Sequence, residues 1–510
     1  MPNAIGSSGS GDVATTVFLA NVFNPDIAMK PIKGNLKQSF LSGQDKAVVL
    51  ARSAASSLRS GVDRLLNRHI TLGVTGFSGS GKTALITSLV HQLQYYPDAL
   101  LVAFPPVLQD RLLGVKLSSL DGVELFPYQR GIEALSKGQW PKATRDESGC
   151  LLEIKFRNQP GLFRPGKPRV SCLYLEIRDY PGEWLLDLPL LDMDYRAWCV
   201  QCHSLFNRAM RLSIGCSFIE RLKSVDPLET ISELELQALW QEQLTFLKAS
   251  QQAGLTMTQP GRWLNAKPSG DESELPFIPL LSITSFPEDK LGSAAEDSLF
   301  KVCERHYRCY LETRVKPFYK STFQKVDRQL VLVDVLKSLS NGQEAFDDLR
   351  FSLAQVLQSF DYGCNSLLRR LVRPRIDRVV FAASKIDQVL PDQHEAVREL
   401  TANLVQDARR RATFNAIDVR CEAIAAVRSA TYVDYQGGQA LQGMTEQGPG
   451  MLLHPDIPGR IPSTDDWQSL GQWQPRRLMP PEGLQLSAGG RLPHIRLDSI
   501  LNDLLGDRFL

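Results

Sequence analysis

Hydrophobic and polar positions along the chain repeat with two different periods. Short apolar or alternating runs are typical of β-strands, and apolar residues spaced three and four positions apart are typical of amphipathic helices. The strand-like runs are 70–75, 148–157, 170–177, 329–333, 378–383 and 418–426. The helix-like runs are 45–68, 85–93, 196–224, 228–252, 294–323 and 497–505. This succession predicts an α/β fold, and the nearly continuous apolar character of 329–333 and 378–383 predicts interior strands of a mostly parallel sheet.

A glycine-rich loop separates the strand-like run 70–75 from the helix-like run 85–93. Its sequence, Gly76-Phe77-Ser78-Gly79-Ser80-Gly81-Lys82-Thr83, has the G-x-x-x-x-G-K-T pattern of a P-loop in the strand, loop, helix order that the motif requires. Backbone N–H groups of such a loop and the helix N-terminus are suited to wrap phosphate oxygens. Lys82 is expected to reach the β- and γ-phosphates, and Thr83 to place its hydroxyl on Mg²⁺. The predicted phosphate-binding residues are Gly76, Ser78, Gly79, Ser80, Gly81, Lys82, Thr83 and Ala84.

An acidic residue follows the strand-like run 170–177, where a metal ligand is expected. Asp179-Tyr180-Pro181-Gly182 is a D-x-x-G element. In P-loop GTPases the Asp of this element holds the Mg²⁺ shell and the Gly N–H contacts the γ-phosphate. We therefore predict Asp179 as a metal ligand and Gly182 as a phosphate contact. Glu183 occupies the next position, where many GTPases have the glutamine that orients water, and its negative charge predicts slow intrinsic turnover.

The runs 148–157 and 170–177 flank a turn-rich segment, which predicts an antiparallel hairpin that ends near Asp179. In Ras-type GTPases the metal-binding threonine of the first switch precedes such a hairpin. Thr144 is therefore predicted as a metal ligand and catalytic-site residue. A threonine in an ordinary loop is the alternative interpretation.

A base-reading element is predicted after the strand-like run 378–383. Ser384-Lys385-Ile386-Asp387 is similar to the N/T-K-x-D element of GTPases, in which the Asp accepts two hydrogen bonds from guanine and the Lys packs along the base. Adenine lacks that pair of donors, so Asp387 favours guanine. Ala426 and Val427 follow the last strand-like run, at the position of the loop whose N–H contacts guanine O6, although the familiar Ser-Ala pair is absent.

Composition excludes several other classes of protein. The net charge of +2, with 43% hydrophobic and 22% charged residues, is ordinary globular usage and does not indicate bulk nucleic-acid binding. We find no secretory signal and no apolar run of about 18 residues, which a transmembrane helix needs. The nine cysteines are scattered, so we expect a cytoplasmic protein. The basic run 45–68 is either a helix packed on the domain or a peripheral contact with the inner membrane.

The spacing of the motifs predicts an insertion. Asp179 and Lys385 are 206 positions apart, whereas a βαβ unit needs roughly 30 residues. Helical patterns dominate the intervening segment, which predicts a large inserted all-helical subdomain. The predicted organisation is a flexible tail at 1–44, a first G-domain part at 45–187, the helical insertion at 188–325, a second G-domain part at 326–434, and an irregular Pro/Gly-rich cover with a terminal helix at 435–510.

Several segments taken together resemble the YcjX-like family of bacterial P-loop proteins. They are the Gly76–Thr83 loop, 179–189, 327–334, 384–387 and 493–498. The resemblance implies a Ras-like G domain of the P-loop NTPase class that binds GTP or GDP, an inserted helical domain, and an association with envelope stress. It also implies that His394 lies near the base, and an ordinary histidine at the start of a helix is the alternative.

These features predict a slow GTP hydrolase that acts as a regulatory switch in the bacterial stress response, with Mg²⁺ and a guanine nucleotide bound. The protein partner of such a switch, which can be membrane-associated, is not identified by the sequence. An ATPase of the same fold and a nucleotide-sensing scaffold without significant catalysis remain as alternatives.

Overall fold

The computed structural model of the 510-residue chain describes most of the protein from His69 onward. The described residues are 69–143, 146–158, 170–265, 275–360, 376–406, 409–410, 412, 417–435, 438–470, 473–486 and 489–509. The predicted tail at 1–44, the basic helix at 45–68 and Thr144 lie outside these residues, so the predictions made for them stay predictions.

A central sheet of eight strands organises the described part of the chain. Its strands are β1 (His69–Gly76), β2 (Leu112–Ser118), β3 (Glu124–Leu125), β4 (Ser148–Arg157), β5 (Val170–Asp179), β6 (Arg328–Val333), β7 (Arg378–Ala383) and β8 (Asp418–Ala423). The spatial order is β2-β4-β5-β1-β6-β7-β8, with β3 paired to β4. The five strands from β5 to β8 in this order run parallel, whereas β4 is antiparallel to both β2 and β5. This mainly parallel sheet is consistent with a Ras-like GTPase fold, and the β4–β5 pairing confirms the predicted hairpin.

Helices connect the strands and cover the sheet. They are α1 (Lys82–Gln94), α2 (Pro105–Leu108), α3 (Tyr128–Ser136), α4 (Glu183–Leu186), α5 (Tyr195–Phe206), α6 (Ala209–Ser224), α7 (Glu233–Gln252), α8 (Glu288–Gly292), α9 (Leu299–Tyr310), α10 (Lys316–Ser321), α11 (Val335–Ser340), α12 (Gln343–Phe360), α13 (His394–Leu404), α14 (Thr464–Leu470) and α15 (Leu497–Leu505). Between β5 and β6 the described residues contain α4 to α10 and, apart from one bridge between Thr230 and Ser298, no strand pairing. Within the described ranges, no helix is both long enough and apolar enough to cross a membrane.

Side chains of the central strands alternate between two hydrophobic cores. On β6, Val331 and Val333 belong to one core and Leu330 and Leu332 to the other. The first core contains α12 and the helices that lie between β5 and β6 in the chain, and the second contains α1, α3 and α15. Because helices cover both faces, β6 is apolar at every position from Leu330 to Val333, which explains the continuous run that predicted an interior strand.

The segment 435–510, predicted to be an irregular cover, contains two strands of a second sheet, so that prediction is wrong for 438–452. The strands of this sheet, β9 (Ala430–Tyr435), β10 (Gly438–Thr445) and β11 (Gly448–Leu452), pair antiparallel in the order β11-β10-β9. Glycines inside these strands made the segment read as loop. Gly443 is one of them, and a Cβ there would lie 2.7 Å from the side chain of Leu478. Helix α15, in contrast, has the predicted bounds.

A buried arginine fastens the C-terminal end of the chain to the sheet. Arg328, at the start of β6, has 1% of its side chain exposed. Its guanidinium donates to Asp507 Oδ1 at 2.6 Å, to Asp377 Oδ1 at 3.0 Å and to the carbonyl of Leu504. These charge-assisted bonds offset the cost of burying the cation.

Replacing Arg328 with methionine is expected to lower the free energy of unfolding by about 2 kcal/mol. The substitution keeps the apolar stem but removes the hydrogen bonds that the guanidinium donates to Asp507, Asp377 and the Leu504 carbonyl. Chemical denaturation followed by circular dichroism measures the change. Arg305→Met is the control, because Arg305 is 57% exposed and lies 4.0 Å from its partner Glu296. Equal stability of the two variants would contradict this role of Arg328.

Candidate functional site

A cavity of about 1180 Å³ opens at the carboxyl ends of the parallel strands. Residues from four segments line it: 76–85 after β1, 140–143 before β4, 384–388 after β7, and 424–427 after β8. Asp334, directly after β6, also contributes to its wall. Parallel sheets bind ligands at this edge, because the loops that leave their strands converge there.

The P-loop forms the floor of this cavity, and all eight predicted phosphate-binding residues line it. Gly79 and Gly81 have φ values of 81° and 87°, a region that glycine adopts without steric cost. The Ser80 N–H donates to the Phe77 carbonyl at 3.0 Å and closes the turn. Helix α1 begins at Lys82, so the positive end of its dipole faces the cavity. This arrangement suits an anionic ligand.

A buried ion pair joins the P-loop helix to the end of β5. Lys82 Nζ lies 2.7 Å from Asp179 Oδ1, with 9% and 0% of the two side chains exposed. Asp179 Oδ2 is buried and has no hydrogen-bond partner within the described ranges. An unpaired carboxylate oxygen next to the start of α1, where Thr83 offers a hydroxyl, is a hard-oxygen donor set of the kind that Mg²⁺ takes. The two residues therefore fit the predicted metal site.

Within the described part of the chain there is no group of three or more His, Cys, Asp or Glu residues that could hold a metal ion. A metal at Asp179 would thus take most of its ligands from substrate oxygens and water, as Mg²⁺ does in nucleotide sites.

The D-x-x-G loop lies directly against the backbone of the P-loop. The Gly182 N–H donates to the Gly76 carbonyl at 3.3 Å. A Cβ at Gly182 would lie 2.7 Å from the carbonyl carbon of Gly76 and 3.0 Å from the nitrogen of Phe77. Glycine is required here because two backbones approach more closely than a side chain allows.

Glu183, the residue after this loop, is buried against the P-loop. Its Oε1 accepts a hydrogen bond from the Ser78 N–H at 3.0 Å and another from the Gln251 side chain at 3.1 Å. Burial raises the pKa of Glu183, and the charge of Lys82 and these two hydrogen bonds act in the opposite direction. The predicted catalytic residue thus contacts both the P-loop and the C-terminal end of α7.

The loop after β7, residues 384–388, contains the predicted base-reading element and is called the base-side loop here. Contacts between strand ends hold it in place. Lys385 has a φ of 63° and its Nζ lies 2.6 Å from Asp334 Oδ2. Asp387 is buried, and its Oδ2 accepts a hydrogen bond from the Ser429 N–H at 2.8 Å. Burial raises the pKa of Asp387 to about 6. Ala426 and Val427 line the cavity on the same side.

His394, like Asp179 and Gly182, is a predicted site residue that is not among those lining the cavity. It is the first residue of α13, and its interactions are with the backbone of Ile386 and Val389 beneath the base-side loop. Burial lowers the pKa of His394. A role of His394 near the base therefore stays a prediction, with an ordinary histidine at the start of a helix as the alternative.

Several residues at the site were not predicted from the sequence. Trp140 lines the cavity and donates through Nε1 to the Leu478 carbonyl at 2.7 Å, so the C-terminal segment closes one side. Asp334 could have been found, because it directly follows a strand that ends at the site. Gln251 carries no local signal, since it is one of several glutamines at the end of a long helix.

Comparison with known proteins gives two kinds of match. The model of the YcjX-like family, DUF463, matches residues 70–509. The protein named Ras-like GTPase YcjX from Escherichia coli K12 is 37% identical over 465 residues, which cover 89% of this chain and 98% of that protein. The protein of the same name from Shewanella oneidensis is 36% identical over 467 residues, which cover 87% of this chain and 96% of that protein.

Substituting Gly182 with alanine is expected to lower the free energy of unfolding by about 2 kcal/mol, because the added methyl group overlaps P-loop backbone. Thermal or chemical unfolding measures the effect. Gly114→Ala in β2 is the matched control, because no atom lies within 4 Å of a Cβ built there. A Gly182→Ala variant as stable as Gly114→Ala would show that the two loops are not in close contact.

Proposed function

The chain belongs to the YcjX-like family, and from this premise we propose that it binds guanine nucleotides in the described cavity and hydrolyses GTP slowly to GDP and phosphate. The observation that carries the proposal is the convergence of two unlike elements on one cavity. A phosphate-binding P-loop ends at Lys82 and Thr83, and a buried base-side carboxylate, Asp387, lines the same cavity.

The phosphate end of the nucleotide is assigned to the P-loop. Its N–H groups and the start of α1 would bind the phosphate oxygens, and Lys82 would exchange its contact with Asp179 for the β- and γ-phosphates. Asp179, Thr83 and, by its sequence position, Thr144 are the proposed ligands of Mg²⁺. When bound, Mg²⁺ would neutralise negative charge on the β- and γ-phosphate oxygens.

The base end is assigned to the loops after β7 and β8. Asp387 would accept the N1–H and the exocyclic amine of guanine, and the stem of Lys385, held at Asp334, would lie along the base. Adenine offers no such pair of donors, so a buried carboxylate facing it would stay unpaired, at a cost of about 1–3 kcal/mol or more. This difference favours the guanine nucleotide over ATP, the alternative substrate.

Slow hydrolysis is proposed from the chemistry of Glu183. Its carboxylate lies at the Ser78 N–H of the P-loop and would repel a nearby γ-phosphate.

We propose that residues 45–187 and 326–434 form the G domain, and that residues 188–325 form an inserted helical unit that influences hydrolysis. A protein partner would recognise which nucleotide is bound. A role in the bacterial stress response and a cytoplasmic or peripheral membrane location are expectations from the family resemblance.

Competition binding with GDP and ADP tests the assignment of the base. At pH 7.5 the affinity for GDP is expected to exceed that for ADP by at least about 100-fold. Only the ionised form of Asp387 can accept both guanine donors, and burial raises the pKa of this carboxyl to about 6. The affinity for GDP should therefore fall as the pH drops below 6, by up to about tenfold per pH unit. Asp387→Asn should remove both the preference and this pH dependence. Equal affinities for GDP and ADP would reject guanine recognition.

Single-turnover hydrolysis of GTP tests the catalytic proposal. The wild-type protein is expected to hydrolyse GTP slowly. Glu183→Gln is expected to raise the rate roughly tenfold, because a loss of about 1.4 kcal/mol of repulsion corresponds to that factor. Lys82→Ala, which removes the phosphate-binding cation, should abolish nucleotide binding. Fast hydrolysis in the wild-type protein that Glu183→Gln leaves unchanged would be incompatible with the proposal.

A further inference from the structure

The carboxylate of Glu183 lies against the P-loop, where the proposed function places the phosphates. It follows Gly182, whose N–H position contacts the γ-phosphate in GTPases, and it is bonded to the P-loop N–H of Ser78 at 3.0 Å. The charge of Lys82 acts to lower the pKa of Glu183. In the proposed site a nucleoside diphosphate would end before this part of the loop, whereas a triphosphate would bring further negative charge against the carboxylate.

Helix α7 holds that carboxylate from the other side. Gln251 Nε2 donates to the same oxygen, Oε1, at 3.1 Å. The helix is anchored at its start by a capping box between Ser232 and Glu235, and its inner face is buried in the core through residues such as Trp240 and Leu247. Gln251 therefore projects from a fixed element and not from a loop.

The short helix α4 that carries Glu183 is fastened to the same helical segment at three further points. The Gln259 side chain donates to the Leu186 carbonyl. Asp187 is fully buried and accepts hydrogen bonds from the Gly261 N–H at 2.8 Å and from the Tyr310 hydroxyl at 2.6 Å.

The guanidinium of Arg262 lies 3.9 Å from the centre of the Trp184 ring. With the backbone of α4 held by these contacts, the remaining freedom of Glu183 is the rotation of its own side chain, and the bond to Gln251 opposes that rotation.

We propose that Gln251 is a specificity-determining residue that holds the Glu183 carboxylate against the P-loop and thereby makes the site prefer nucleoside diphosphates to triphosphates. The inference rests on the proposed function in so far as a nucleotide occupies this cavity, but it concerns the number of phosphates and not the identity of the base. Gln251 acts through Glu183 and is a positioning residue.

The charged groups around Glu183 decide how this preference varies with pH. Lys82, Lys248, Asp334 and Lys337 line the cavity from the P-loop helix, α7 and the loop and helix after β6, and Arg262 lies beneath α4 on Trp184. Protonation of Glu183 removes the repulsion, so the preference for the diphosphate should shrink as pH falls. Since the Gln251 hydrogen bond lowers the pKa of Glu183, its removal should move this loss to higher pH.

The test is equilibrium binding of GDP and of a non-hydrolysable GTP analogue to the full-length protein between pH 5.5 and 8, with ADP and the matching ATP analogue measured in parallel. Wild-type protein is expected to bind the diphosphate at least tenfold more tightly than the triphosphate analogue. Gln251→Met, which keeps the length of the side chain without its donor, should reduce that ratio about fivefold by strengthening analogue binding, and should shift its pH dependence upward. Gln251→Leu provides a second variant in case the first does not fold.

Gln252→Met is the matched control, because Gln252 is an exposed neighbour on the same helix and should leave both the ratio and its pH dependence unchanged. A Gln251 variant with an unchanged ratio, or one that weakens both nucleotides equally, overturns the proposal. Equal binding of guanine and adenine nucleotides would reject the proposed base recognition alone, because the ratio of diphosphate to triphosphate is measured within each series.

Discussion

The buried ion pair between Lys82 and Asp179 is the constraint on which the geometry of the site depends. Two charges with almost no exposure are stable only when they are close together and correctly oriented, because each alone would be strongly disfavoured in the interior. The pair therefore fixes the start of α1 relative to the end of β5. Parallel pairing of β1 with β5, from His69 with Tyr174 to Val74 with Asp179, brings both residues to the same edge of the sheet. The close approach of Gly182 to Gly76 follows from the same register.

The end of β5 is also held by contacts with the helices that lie between β5 and β6 in the chain. The segment that follows Gly182 is not an independent loop, because Glu183 contacts Gln251 and Asp187 contacts the backbone at Gly261. Those helices share one hydrophobic core with α12 and a face of β6 and β7. A second buried ion pair, Arg211 with Asp348 at 2.8 Å, joins α6 to α12 within that core. A displacement of the D-x-x-G loop would consequently have to move packed helices or rotate individual side chains, and the second costs less.

Sequence reasoning recovered the parts of the molecule whose signals are local. The P-loop, the strands β6 and β7, the β4–β5 hairpin and α15 each follow from residues adjacent in the chain. It did not recover β2 and α3, which have only seven and nine residues and carry none of the motifs, nor β9 to β11, whose glycines resemble loop composition. The contact of Gln251 with Glu183 joins positions 68 apart through hydrogen bonding alone. No spacing rule within one chain anticipates such a contact, which depends on how α7 packs.

Four buried carboxylates at or next to the site differ in how their charge is stabilised. Asp179 has a cation at 2.7 Å, whereas Glu183, Asp187 and Asp387 are held chiefly by N–H, amide or hydroxyl donors. Burial raises the pKa of the latter three, to about 6 for Asp187 and Asp387. Hydrogen bonds thus only partly compensate the desolvation of these carboxylates. A further donor would stabilise the ionised form of each, and an added negative charge would destabilise it.

Asp187 already accepts hydrogen bonds from three donors of the helical segment, and these hold it in place. Asp387 and Glu183 both line the cavity, and under the proposed function a base with two N–H donors would stabilise Asp387, whereas a terminal phosphate would destabilise Glu183. The same physical condition, a buried carboxylate without a salt bridge in the described part of the chain, would therefore give selectivity for the base at Asp387 and sensitivity to the number of phosphates at Glu183.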